Sequence, residues 1–373
     1  MKTGERVEAL VLRAVAAETP SPAERILRGA AGLAALVYGG LVRARNAGYN
    51  MGLRRTRRLP CRVVCVGNVT AGGTGKTPTV AALATAGAAA GLRVCVLLRG
   101  YHREGGGVRV VSDGRTVQCD WREAGDEAVL LAERLPGVPV IVGGNRVETG
   151  TLAVTRFRPD LILLDDGFQH RRLYRDADLV LLDATDPFGG ERLLPWGRLR
   201  EPITGLRRAH ACLVTRVDQS GSLERLCRQV GRVAPGRPIG RAIFRPLGLR
   251  DLATGHEQPV TDLRGKRVLV VSGIANPHSF LRTVQDLGAV VVGDLAFRDH
   301  HAFDAEDRRR MAETARQARA EWIVTTEKDA VRLRPDLPKG YPVVAVAVGL
   351  EIVEGAEALE AALGVPVRVV GRG

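Results

Sequence analysis

The segment Gly72-Gly73-Thr74-Gly75-Lys76-Thr77, set between a β-rich run and an alanine-rich stretch, limits this chain more than any other feature. Closely spaced glycines let the backbone wrap tightly, so that successive N–H groups point at phosphate oxygens. Lys76 then reaches the β- and γ-phosphates, and the Thr77 hydroxyl is placed to ligate Mg²⁺. A helix starting at the loop adds the dipole of its N-terminus. The stretch Thr70, Ala71, Gly72, Gly73, Thr74, Gly75, Lys76 and Thr77 therefore reads as the phosphate-binding loop for a nucleoside triphosphate such as ATP. One position departs from the strict pattern, which asks for Gly where this chain has Thr70. A chance glycine-rich turn is the competing reading, and the strand–loop–helix context disfavours it.

Around the loop the pattern is strand, turn, helix, repeated. Aliphatic runs at 61–66, 94–98, 138–142, 161–164, 179–182 and 211–214 are separated by helical stretches, the first of them at 79–90. Continuous short apolar runs of this kind indicate a parallel sheet buried on both faces. The expected fold class is α/β, a doubly wound, mostly parallel sheet with ligands at the carboxyl ends of its strands. Pro235-Gly236-Arg237-Pro238 reads as a linker, and a second set of runs follows at 268–271, 290–293, 322–325 and 343–348. The domain expectation is an N-terminal helical segment over 1–60, a P-loop kinase domain over 61–235, and a smaller α/β domain over 236–373.

The N-terminal segment differs in character from the rest. Arg28 and Arg43 bracket the uncharged stretch 29–42, shorter than the roughly 20 apolar residues of a membrane span. It is long enough for an interfacial or buried helix. Arg43, Arg45, Arg54, Arg55, Arg57 and Arg58 follow with no acid among them. An apolar stretch followed by a polybasic one is the pairing expected for contact with an anionic membrane surface. The plainer alternative is a helix packed on the domain with a solvated basic flank. Lys and Arg outnumber Asp and Glu by 55 to 41, a net charge of +14, which favours an anionic partner or serves solubility. With 4% aromatic residues the chain offers little for base stacking, so no nucleic acid is expected. The cysteines form no C-x-x-C and no zinc spacing, and read as reduced, buried thiols. Residues 1–8 are polar and show no secretory signal.

Two acidic pairs stand out. Asp165-Asp166 ends the run 161–164, where a carboxylate next to a phosphate loop orients Mg²⁺ or its water. Adjacent strand residues project to opposite faces, so the two acids should not share one role. A strand-end Asp that only caps a turn is the alternative. Asp126-Glu127 opens a helix running to Arg134, and spacing alone favours capping for this pair.

Read together, Gly67-Asn-Val-Thr-Ala-Gly-Gly-Thr-Gly-Lys-Thr-Pro78, Arg99-Gly-Tyr101, Gly125-Asp-Glu127, Asp165-Asp-Gly-Phe-Gln-His170, Leu199-Arg-Glu-Pro202, Ser272-Gly-Ile-Ala-Asn-Pro277, Phe297-Arg-Asp-His-His301 and Thr326-Glu-Lys-Asp-Ala-Val331 resemble the tetraacyldisaccharide 4′-kinase family. The resemblance runs in order from about residue 22 to 333. It implies ATP- and Mg²⁺-dependent phosphorylation of the 4′-hydroxyl of a tetraacylated glucosamine disaccharide 1-phosphate, giving lipid IVA in lipid A biosynthesis. It also implies a peripheral enzyme on the cytoplasmic face of the bacterial inner membrane, with no protein partner. The family's catalytic carboxylate falls on Asp126 and its paired histidine on His300, so the resemblance puts catalysis in place of capping at Asp126, and Lys76 completes the catalytic set. A carboxylate that accepts a sugar-hydroxyl proton works better when an imidazole holds and tunes it. Such a pair would join the two expected domains, so that closure assembles the site. Thr77, Glu127, Asp165 and Asp166 are then the metal shell, and Arg99, Gln169, His170, Arg200 and Glu201 the substrate loop. Leu98, His102, Arg198 and Ala275 depart from the family's usual Ser, Gly, Pro and Gly. A membrane-associated P-loop switch ATPase is the alternative; it would not need the block around His300.

Overall fold

The computed structural model describes residues 21–367, so the polar start at 1–8 lies outside the described residues. Its first element is helix α1 (Pro22–Asn50). Ser21 and Glu24 form a reciprocal capping box there, with Glu24 N donating to Ser21 Oγ at 3.3 Å and Ser21 N to Glu24 Oε2 at 2.8 Å. Pro22 starts the helix at a position where no N–H is needed. At 29 residues α1 outruns the uncharged stretch 29–42, and by length and composition alone it is long and apolar enough to cross a membrane. One side carries the small buried residues Ala31, Ala35 and Gly39, then Val42. They allow close approach: a Cβ on Gly39 would stand 2.7 Å from Leu193 Cδ1, and Gly32 lies against the Trp196 ring. The other side exposes Ile26, Leu33, Leu36, Val37 and Leu41 at 60–76%.

The strands are β1 (Arg62–Asn68), β2 (Val94–Leu98), β3 (Arg109–Asp113), β4 (Pro139–Val142), β5 (Leu161–Asp165), β6 (Ala177–Asp183), β7 (Ala211–Thr215), β8 (Ile239–Asp251), β9 (Glu257–Gln258), β10 (Arg267–Ser272), β11 (Val290–Ala296), β12 (Trp322–Thr326) and β13 (Val343–Glu354). Three further helices bear on the site: α2 (Lys76–Ala89), α3 (Asp126–Arg134) and α4 (Glu327–Leu333). The fold is α/β and mostly parallel, the class expected from the aliphatic runs.

The described residues form two compact units that interleave in sequence: 21–76, 166–242 and 352–365 make one, and 77–165, 243–351 and 366–367 the other. This division cuts across the expected segments 61–235 and 236–373. In the first unit the start of β8 (239–242), then β7, β6 and β1 lie side by side in that order, all parallel. In the second, β5, β2 and β4 pair in parallel and β3 adds an antiparallel edge. A further parallel group there has the order β11, β10, β12, β13. Alternation along these last strands fills two cores. Leu269, Val271 and Ile323 face Phe303 and Met311, while Val268, Val270 and Val324 face Phe280 and Val284. Cys65, Cys95 and Cys212 are buried and Cys61 is only half-buried, and among the described residues none of the six is in a disulfide. Burial pushes the Cys212 thiol up to about 12, which leaves it inert.

Candidate active site

The phosphate loop belongs to the first unit up to Lys76. It leaves the end of β1, and Gly72 (φ 115°) and Gly75 (φ 86°) take backbone conformations that side chains resist. Thr70 lies outside the left-handed region, so its turn requires no glycine; it is buried and bridges Leu199 instead. Neighbouring groups hold the loop's carbonyls. Arg198 Nε donates to Ala71 O at 2.9 Å, Arg216 Nη1 to Gly73 O at 3.1 Å, and Thr215 Oγ1 to Thr74 O at 3.0 Å. Asn68 Nδ2 donates to Thr74 Oγ1 at 3.1 Å inside the turn. With these carbonyls held from outside, the loop is braced in the form that a phosphate needs.

Asp166 receives Arg200 Nη1 on both oxygens at 2.7 Å, and Lys76 Nζ stands 3.7 Å from its Oδ1. Gln169 Nε2 donates to Asn68 O at 2.8 Å and to the fully buried Glu201 at 2.9 Å. His170 follows in the same turn, its carbonyl accepting Arg175 Nη1 at 2.9 Å. Helix α1 reaches this cluster too, through Tyr38 Oη to Arg200 O at 2.7 Å and Asn46 Nδ2 to Glu201 Oε2 at 3.3 Å.

In the second unit Thr77 Oγ1 donates to Asp165 Oδ2 at 3.2 Å, and Asp165 is buried at the end of β5. A hydroxyl beside a strand-end carboxylate is the donor set that Mg²⁺ on a triphosphate uses, with the remaining ligands from phosphate and water. Glu127 is engaged elsewhere, by Lys328 Nζ at 3.2 Å. Arg99 is exposed just beyond β2.

The same unit holds Asp126, 4% exposed, at the start of α3. His300 Nδ1 lies 3.0 Å from both of its oxygens, so the pair is already formed inside one compact unit. Glu127 N donates to Asp126 Oδ1 at 2.8 Å, and Arg332 Nη1 stands 3.3 Å from Oδ2. Helices α3 and α4 are clamped by Arg134 to Glu327 at 3.2 Å and Arg334 to Glu133 at 2.6 Å. His300 has φ 59°, a left-handed conformation fixed by its N–H bond to Gly273 O at 3.2 Å. Burial pushes the Asp126 carboxyl up, but the His300 hydrogen bond and the charges of Lys328 and Arg332 outweigh it, holding the group well below the usual carboxylate range.

The first unit thus carries a phosphate-loop geometry and the second a buried carboxylate–histidine pair. The family model described as tetraacyldisaccharide-1-P 4'-kinase matches residues 31–365. The chain belongs to that family. Tetraacyldisaccharide 4'-kinase of Anaeromyxobacter sp. (strain Fw109-5) is 45% identical over 352 residues, covering 92% of this chain and 94% of the relative. The enzyme of that name from Syntrophus aciditrophicus is 44% identical over 317 residues, covering 83% and 85%. The "apo" form of LpxK from Aquifex aeolicus, solved in complex with ATP, matches at TM-score 0.72 and 31% identity, covering 91% of this chain and 98% of that one.

Two departures from the 4′-kinase pattern now have structural readings. His102 sits at φ 56°, the conformation that glycine adopts without cost, and histidine tolerates it better than most side chains. Arg198, in place of proline, binds Ala71 O and pairs with Asp186 at 2.7 Å, bracing the loop through a side chain where a ring would act by stiffness. Sequence reasoning assigned no role to Lys328 or Arg332, which stand at both ends of the Asp126–His300 pair. Lys328 lies inside the family-matching block 326–331 and Arg332 one residue beyond it, but neither carries a local pattern that points to Asp126 or His300.

Proposed function

We propose that this chain transfers the γ-phosphoryl group of ATP to the 4′-hydroxyl of a tetraacylated disaccharide 1-phosphate, with Asp126 as the proton acceptor. The observation that carries the reading is the buried Asp126 carboxylate with His300 Nδ1 at 3.0 Å from both of its oxygens, in a chain whose phosphate loop is braced from outside. The hydroxyl proton passes to Asp126, the sugar oxygen bonds to the γ-phosphorus, and the bond to the β–γ bridging oxygen breaks as ADP leaves. Lys76, whose Nζ stands 3.7 Å from Asp166, follows the moving phosphoryl charge. Thr77 and Asp165 would hold Mg²⁺, whose chemistry here is to neutralise charge on the β- and γ-oxygens. Segments 61–235 and 236–373 serve as functional halves, one bringing the loop and Asp126, the other His300.

The lipid substrate and the exposed face of α1 support a peripheral position on the cytoplasmic face of the inner membrane. A helix held to the protein by a line of small residues lies along the surface, its apolar side free to enter the headgroup region. Its arginines and those at 54–58 suit an anionic leaflet. The test is direct: incubate the protein with γ-labelled ATP, Mg²⁺ and the tetraacyl disaccharide 1-phosphate in detergent. Label entering the lipid supports the kinase; label released only as inorganic phosphate points to the switch ATPase.

A further inference from the structure

Lys328 lies on α4, on the far side of His300 from Asp126. Its ammonium has three neighbours: Asp299 Oδ1 at 3.0 Å, Glu127 Oε1 at 3.2 Å and His300 Nε2 at 3.2 Å. An ammonium carries three N–H donors and no acceptor, so all three neighbours must accept. A neutral imidazole has one donor and one acceptor nitrogen. With Nε2 accepting from Lys328, the ring proton sits on Nδ1, which faces both oxygens of Asp126 at 3.0 Å.

We infer that Lys328 is a positioning residue for the reaction: it locks His300 as the neutral Nδ1–H tautomer, so that the imidazole donates to Asp126 and cannot take a proton from it. This rests on the reading of Asp126 as proton acceptor, and it removes one version of that reading. A relay from Asp126 onto His300 Nδ1 requires a lone pair there, and Lys328 denies it. The proton taken from the sugar hydroxyl stays on the carboxylate.

The rest of α4 supports the same geometry. Asp329, fully buried, accepts Gly273 N at 3.0 Å and pairs with Arg332. Arg332 Nη2 donates to Gly273 O at 3.0 Å, the carbonyl that also receives His300 N. One short helix thus fixes the His300 backbone through Gly273, the Asp126 carboxylate through Arg332, and the imidazole proton through Lys328. The Tyr101 and His102 rings, with centroids 5.6 Å and 5.4 Å from that of His300, close in on the imidazole.

The experiment is ¹⁵N NMR of the histidine side chains in the full-length protein without substrate, with His300→Gln identifying the His300 signals. The expected result is a neutral imidazole with Nδ1 protonated and Nε2 bare. Protonated Nε2, or an imidazolium, would overturn the inference. In Lys328→Met the pure Nδ1–H signature should be lost, with kcat falling by about 10–100-fold and KM for ATP unchanged. Lys328→Arg, which also donates and cannot accept, should keep the tautomer. An unchanged Nδ1–H signal in Lys328→Met would show that Lys328 does not set it. If that variant fails to fold, the wild-type spectrum still decides. Because the tautomer is read without turnover, its failure is separable from failure of the Asp126 assignment, which only lipid phosphorylation by Asp126→Asn tests.

Discussion

In the phosphate loop, the groups proposed to do chemistry follow one another in the chain, from the glycine amides through Lys76 to Thr77; distant residues such as Arg198, Thr215 and Arg216 brace the loop's carbonyls. Around Asp126 the arrangement is inverted. The carboxylate, the imidazole 174 positions later, and the cations of α4 come from separate stretches, and only the packed fold assembles them. A contiguous site tolerates the loss of one brace, since the remaining contacts still hold the loop. The assembled site shares buried charges among few partners, so losing one leaves another uncompensated.

The largest effect should fall on the loop's own chemistry. Lys76→Ala should lower turnover by about 10²–10⁴ while the melting temperature barely changes; near-normal turnover would remove the loop from the mechanism. Arg332→Met probes the other region, where stability and chemistry are fused. It strands Asp329 and Asp126 in the interior and should destabilise the fold by about 3–5 kcal/mol, read by chemical denaturation. A change below about 1 kcal/mol would mean that the buried charges do not depend on one another.

These two regions also differ in how far the sequence reveals them. The loop could be read residue by residue, because its pattern is local. Strands such as β2 and β5 could be read because continuous aliphatic runs leave little else to form. β8 escaped: Arg and Pro interrupt Ile239–Asp251, and its burial alternates weakly. β3, an antiparallel edge, carries Arg109, Ser112 and Asp113 and looks like loop. Asp126 reads locally as a helix cap, and only the family resemblance joined it to His300. Lys328 stayed silent, because an exposed-looking lysine between Glu327 and Asp329 gives no hint that Glu127, Asp299 and His300 converge on it.

Helix α1 offers a way to disturb the loop region alone, since it touches Arg200 and Glu201. Leu33→Asp with Leu41→Asp should reduce sedimentation with anionic vesicles several-fold while the His300 signals stay in place. Added salt should deepen the loss, because the arginine attraction is screened over about 8 Å at physiological ionic strength. Unchanged sedimentation would put the membrane contact elsewhere.

The smallest effect is one of pH. The folded-state pKa of Asp126 lies below its unfolded value, near about 3.9, so its ionised form stabilises the fold above that value, and the contribution fades as pH falls through the folded pKa. The melting difference between wild type and Asp126→Asn should therefore be constant from pH 5 to 8 and shrink below about pH 4. A difference that already shrinks near pH 6 would mean that the carboxyl is not held in its ionised form.

A double-mutant cycle in lipid phosphorylation tests the pairing of Asp126 with His300 most directly. Asp126→Asn alone should lower kcat by about 10²–10⁴, and His300→Ala should move it in the same direction. If the two act as one unit, the double variant should be barely worse than Asp126→Asn alone, with ATP affinity near normal in all three. Losses that multiply, the double variant falling by the product of the single effects, would contradict a dyad and leave two independent residues in its place.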